Sequence, residues 1–360
     1  VVAGSNRTSR RASTSLPIKT GTGSVDAMAL YALDNLDDAI DVTRNFLTPV
    51  KRHVWLRLAV IALFVGGAGT NVASWSFGGD GEPMPADQLP TVDVEPWVWP
   101  LIAAVVVGVV LLGLSFLLVG SIMEFVFVES LRNEQVTIRR YWRQRWRQGL
   151  RLFGFRLVLG LLVLGAVLLV AAPVLLPLVG VGTFSAGAAL LVLFVPLLLL
   201  LAIVVAVVHS FTTVFVVPLM IQSNAGVLAG WRRLWPSITA QWRQFLAYAL
   251  VGFVLSILGG VVVGVATVLL VLAALLPFGL LFALSYGLFV VFPPLGILAF
   301  VVVGIVFVLV IIALVAIAQV PVKTYLRYYA LLVLGDVDPA FDLIATQRAA
   351  VRDDESPAEE

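Results

Sequence analysis

Between Leu157 and Trp231 only His209 can carry charge, and between Phe245 and Val322 no residue can. A water-soluble domain cannot be assembled from two such stretches, because its surface would lack the charge that keeps it solvated. Runs of roughly 20 apolar residues form bilayer-spanning helices. The chain therefore reads as an all-α polytopic membrane protein. Composition agrees: 61% of residues are hydrophobic and 12% charged, against roughly 45–50% and 25% in soluble domains.

Six spans are expected, at about residues 54–74, 100–123, 157–174, 190–214, 246–272 and 298–320. The apolar segment 277–294 is too short to cross and return, and is expected to pack as a short or re-entrant element. Residues 1–27, rich in Ser, Thr, Gly and Arg, read as a disordered segment, with Met28 a candidate translation start; a flexible cytosolic tail is the alternative. Residues 28–47 read as an amphipathic cytoplasmic helix, with Leu33, Leu36, Ile40, Phe46 and Leu47 on one side and Asp34, Asp37, Asp38 and Asp41 on the other. Thr48-Pro49 has the pattern of an N-cap with proline at the first helical position. The six-helix membrane domain then occupies 48–335 and a cytoplasmic C-terminal tail 336–360, its last residues acidic.

Charge placement sets sidedness. With six spans all 23 Lys and Arg residues fall on one side or at its border, while the long loop opposite holds five acids and no base. The positive-inside rule makes the basic side, with both termini, cytoplasmic, and the cell membrane the expected location. Trp97 and Trp99 mark the opposite interface.

A motif repeats. Trp142-Arg143-Gln144-Arg145-Trp146 recurs 89 residues later as Trp231-Arg232-Arg233-Leu234-Trp235, and the same offset matches Phe127 with Val216 and Leu131 with Met220. The copies share one orientation, which predicts a parallel internal repeat of span, surface helix and span. In the first copy Ile138, Trp142, Trp146 and Leu150 form one helical stripe, and Arg139, Arg143, Arg147 and Arg151 the next. Such amphipathic helices are expected to lie in the headgroup layer on the cytoplasmic side, indoles at the acyl boundary and guanidiniums among phosphates. Each basic residue near an anionic leaflet contributes roughly 1 kcal/mol. The candidate lipid-interface residues are therefore Trp142, Trp146, Arg139, Arg143, Arg147, Trp231, Arg232 and Trp235, with anionic headgroups as the expected partner. Plain interfacial anchoring explains the same residues. Nucleic acid is not an expected partner, since the membrane surface already accounts for the bases and aromatics.

Ionisable residues at depth are functional candidates. His209 is one, as a proton relay or, more simply, a neutral imidazole bonded to a neighbouring helix; no acid in a span is expected to partner it. Glu124, with Glu129, ends the second span near Arg132, where surface pairing with the basic helix is expected. Gln319 is expected to bond between helices. Gly260-xxx-Gly264, like Gly66, Gly67 and Gly69, would let helices approach closely, with homo-oligomerisation as the further meaning. The absence of cysteine excludes disulfides and thiolate sites, and two histidines give no metal cluster. No phosphate-binding loop, His-Glu-x-x-His or Gly-x-Ser-x-Gly pattern occurs, so neither an enzyme nor a cofactor is expected.

The run Phe215-Val216-Val217-Pro218-Leu219-Met220, then Trp231 and Trp242-Arg243 before a glycine-rich span, resembles a broad group of uncharacterised prokaryotic six-helix proteins. These are similar to the membrane domain attached to some glycerophosphodiester phosphodiesterases. The ending Tyr325-Leu326-Arg327-Tyr328-Tyr329-Ala330-Leu331 with Leu334-Gly335-Asp336 looks like haloarchaeal members. The resemblance covers roughly 28–347 and implies a membrane module associated with lipid metabolism or envelope organisation. The phosphodiesterase catalytic domain has no counterpart here, so no catalytic residue carries over. The functional expectation is a non-enzymatic membrane, lipid-associated or scaffold protein, with a membrane partner protein or a second copy as expected partners; the alternative is a transporter or permease for a small or lipidic solute.

Overall fold

The computed structural model describes residues 31–65, 95–175 and 184–354, which are helical almost throughout, with no strand among them. In chain order the helices are α1 (Tyr31–Leu47), α2 (Arg52–Phe64), α3 (Val98–Arg132), α4 (Ile138–Leu175) and α5 (Phe184–Phe211). A π-helical turn (Thr212–Val216) joins α5 to α6 (Val217–Ser223); then come α7 (Val227–Ala240), α8 (Trp242–Val291), α9 (Pro293–Val337), a 3₁₀ turn (Pro339–Phe341) and α10 (Ala345–Asp354).

Five helical segments are long and apolar enough to cross a membrane: Val98–Arg132, Ile138–Ala172, Phe194–Ser223, Trp242–Val291 and Pro293–Val337. The first expected span begins within α2, which is 13 residues long and ends at Phe64. The rest of it, with Gly66, Gly67 and Gly69, lies outside the described residues, as do most of the acidic loop and the turn at Gly180.

Burial divides every long helix into two parts. The apolar segments point their side chains outward, as at Val105, Leu162, Leu199, Val262 and Val302. The packed core sits at the basic end. There Gly120–Leu131 of α3 is buried on all sides, against Phe215–Ile221, the Val320–Leu334 part of α9, α1 and α2. A helix that is apolar around its whole circumference needs such enclosure. Glycine permits the closest contacts: a Cβ on Gly149 would lie 2.9 Å from the Ile122 Cα, and one on Gly120 2.9 Å from the Phe64 carbonyl oxygen.

Several local expectations change. The basic segment is not a separate surface helix: it is the start of α4, 38 residues long, or about 57 Å at 1.5 Å per residue. Residues 277–294 are not a short element either. α8 runs unbroken for 50 residues and α9 for 45, joined at Phe292, so the segment forms the tip of one long hairpin. α8 continues through Pro277, although the ring removes one amide donor and crowds the Ala273 carbonyl, with helix-favouring Leu and Ala residues on its N-terminal side. Thr48 closes α1 by donating to the Arg44 carbonyl (2.5 Å), and α2 starts only after Lys51. α1 turns its face: Leu33 and Ile40 are exposed while Ala32, Asn35, Asp38 and Ala39 are buried. Small residues let α1 lie close to α9, and the polar ones find partners there. Among the described residues Gly260 and Gly264 approach no other helix, whereas their neighbour Gly259 meets one, at Val322.

Candidate functional site

Glu124 has no exposed surface, and its carboxylate bridges two arginines from distant parts of the chain. Arg156 of α4 approaches Oε1 at 3.4 Å, and Arg327 of α9 donates a short hydrogen bond to Oε2. Both guanidiniums are also almost fully buried. A charge this deep is tolerated only when paired and hydrogen-bonded. The π-turn supplies further acceptors: Arg156 donates to the Thr213 hydroxyl (2.9 Å) and Arg327 to the Thr213 carbonyl (2.7 Å), while the Arg156 Nε finds no partner among the described residues. Single π-turns within helices concentrate at functional positions because they turn backbone groups out of the regular ladder. The Arg327 guanidinium also lies 5.7 Å over the Phe127 ring. Lys323, one turn from Arg327, donates to the carbonyls of Ala62 (2.5 Å) and Val65 (2.6 Å), where α2 ends and its dipole is negative.

Beside this cluster lies a cavity of about 440 Å³. Glu124, Lys323 and Arg327 form its polar end, and Val207, Phe211, Tyr248 and Phe253 much of its apolar wall, with Ser210 and Ser256 between them. His209 is half-buried and is not among the residues lining it. The charges of Arg156 and Glu124 both act on it. The expected surface pairing of Glu124 is overturned: twelve consecutive residues of α3 are enclosed by other helices, and Glu124 goes inside with them. Glu129 does pair with the basic segment, through Arg145 (2.5 Å), but the carboxylate is buried and the arginine only partly exposed. Arg145 passes the interaction to Gln148, which donates to the Met220 carbonyl (2.8 Å) and the Asn224 side chain (3.0 Å). Gln319 is buried in α9 with no partner for its Oε1 among the described residues.

The tryptophans divide alike in both motif copies. Trp142 packs on the core and Trp231 donates to the Thr212 hydroxyl (3.0 Å), whereas Trp146 and Trp235 are exposed. Arg139, Arg143, Arg147 and Arg232 are exposed as well, Arg147 leaning over the Trp146 ring at 5.8 Å. Glu134 (φ 51°) and Asn224 (φ 52°) take left-handed conformations in the two turns that precede these helices.

A second polar cluster clasps the ends of the described chain. Asp336 bonds Asn35 of α1 and Arg348 and Arg352 of α10, while Asp342 takes Arg348 and Asp38 takes Arg352. The hydrogen bond to Asp336 pushes the Arg352 guanidinium above its ordinary value. The stretch after Val337, read from sequence as a tail, is thus ordered as far as α10. Among the described residues no group of three His, Asp or Glu side chains could hold a metal ion.

Arg156, Lys323 and Arg327 escaped the sequence reading. Arg156 looked like the last base of a surface stretch, and the α9 pair looked like a flank of the final span. No local signal marks them: Arg156 lies five residues from Arg151, and Lys323 and Arg327 are four apart.

The fold and this cluster define an apolar, multi-helix protein of the membrane-spanning kind, with its packed core at the basic end. By sequence the chain belongs to a family of unknown function, DUF7544, whose model matches residues 30–344. No curated protein and no solved structure matches it.

Proposed function

We propose that the protein is a six-span, non-enzymatic membrane protein of the cell membrane, its termini and basic face cytoplasmic, that organises anionic lipid headgroups or a partner protein. The observation that carries the reading is the exposed row Arg139, Arg143 and Arg147 beside the exposed Trp146. Exposed guanidiniums with an indole at their side suit an anionic, partly apolar surface. From Arg156 the helix rises about 14 Å to Arg147 and about 26 Å to Arg139, so the row meets headgroups where α4 tilts towards the surface, and its far end reaches where a peripheral partner could be met. The two motif copies read as one duplicated unit, a reading supported by the matching inward and outward tryptophans and by the left-handed residue in each turn. The resemblance to lipid-linked membrane domains points the same way.

The test is the lipid that co-purifies from vesicles of phosphatidylcholine and phosphatidylglycerol. Reversing Arg139, Arg143 and Arg147 to Glu is expected to lower the phosphatidylglycerol share several-fold, and high salt to lower it in the native chain. An unchanged share would reject the reading. The cavity beside Glu124 favours transport as a second reading. Flux into liposomes, compared between the native chain and His209→Ala, checks it, and no flux in either removes it.

A further inference from the structure

We propose that the cavity between α5 and α8 is a binding site for one anionic, phosphate-bearing lipid, its headgroup on Lys323 and Arg327 and its chains leaving sideways into the bilayer. The inference rests on the membrane setting just proposed but not on the exposed arginine row.

Charge is the first argument. Lys323 and Arg327 line the cavity with Glu124 as the one acid beside them among the described residues, and Arg156, outside the lining, adds a third cation on the same carboxylate. Two of the three hold the carboxylate directly, and Lys323 feels the same single negative charge. An uncompensated buried cation is costly, and an anion arriving from outside would neutralise the surplus. Donor capacity is the second argument. An ammonium has three N–H bonds; two of those on Lys323 go to the Ala62 and Val65 carbonyls, and the third remains for a ligand. The carbonyls fix the lysine in place, so little side-chain freedom is lost on binding.

Shape is the third argument and selects a lipid over a free anion. The polar end is the closed one: Glu124, Phe127 and Arg327 are buried, whereas Val207 and Phe253 at the other end are 49% and 64% exposed. Phe211 and Phe245 bring α5 and α8 together at the floor, with ring centroids 6.2 Å apart, and above it the two helices do not pack along one another. The opening is therefore lateral and apolar. From Pro100, about 20 residues of α3 cross a hydrocarbon layer of about 30 Å, which puts Glu124, and with it Lys323 and Arg327, at the depth of lipid phosphates. The hydroxyls of Ser210, Ser256 and Tyr248 lie where glycerol and ester oxygens would pass.

Native mass spectrometry of the full chain, transferred from vesicles into detergent and washed with high salt, reads the site directly. One phosphatidylglycerol is expected to stay bound in preference to phosphatidylcholine, and inorganic phosphate is expected neither to bind nor to displace it. Lys323→Gln keeps a donor for the α2 carbonyls and should weaken retention about tenfold, as loss of a charge-assisted contact does. Gly252→Leu leaves every charge and fills the mouth: a Cβ there meets only the Tyr248 ring, at 3.7 Å or more. It should abolish retention without lowering the melting temperature. Equal retention of both lipids, retention unaffected by Gly252→Leu, or binding of inorganic phosphate alone would each overturn the proposal. The Arg139, Arg143 and Arg147 reversal changes only the salt-sensitive lipid and leaves this one in place.

Discussion

Glu124 is closed off from solvent between two guanidiniums, and that position makes it the residue on which the packed end depends. Glu124→Gln would leave Arg156 and Arg327 buried with no carboxylate to share. Breaking such a pair from one side costs about 3–5 kcal/mol, so the variant should melt well below the native chain in detergent; a melting point within the range of surface substitutions would contradict the pairing. The sequence showed Glu124 plainly as an acid ending an apolar run, yet its partners were invisible. Arg156 is 32 residues away and Arg327 203, and local spacing holds no information about contacts that distant. The same error occurred at α1. Its acids looked like the solvent face, but Asp38 and Asn35 are buried because Arg352 and Asp336, some 300 residues on, give them partners.

At the scale of elements, hydrophobic pattern located the long helices well and their ends poorly. Charge-free runs identify what must be in lipid, but a helix continues past its apolar part whenever the next residues also favour helix, as α4 does through Trp142 and Arg151. The contact of α4 with α3 depends on Gly149. Gly149→Val would press a branched side chain against the Ile122 backbone, and overpacking of this kind costs about 1–3 kcal/mol. Thermal unfolding should show that loss, whereas Gly154→Val, with nothing within 4 Å of its Cβ position, should show little. At the chain ends, a Cβ on Gly335 would collide with the Arg348 guanidinium. Gly335→Ala should therefore free α10, raising hydrogen exchange across Ala345–Asp354 while leaving α3 protected; unchanged exchange in α10 would show that the clasp does not hold it.

On the scale of the whole molecule, the α8–α9 hairpin sets the hardest geometric demand. Fifty helical residues extend about 75 Å, more than twice a hydrocarbon layer of about 30 Å. Its tip exposes Leu276, Leu280 and Val291 at 79%, 65% and 83%, and apolar area in water costs about 25 cal/mol per Å². A tilted or folded-over hairpin that keeps its tip in lipid is therefore favoured over an upright one. A cysteine placed at Tyr286 should resist an impermeant maleimide in sealed vesicles; rapid labelling would put the tip in water. Because the native chain has no cysteine, every such experiment is free of background. The most direct one concerns α3 alone. Cysteines introduced singly at Glu95 and at Arg143, on either side of that helix, should be labelled from opposite faces of oriented vesicles, Glu95 from outside and Arg143 only after permeabilisation. Labelling of both from the same face would contradict a chain that threads the bilayer.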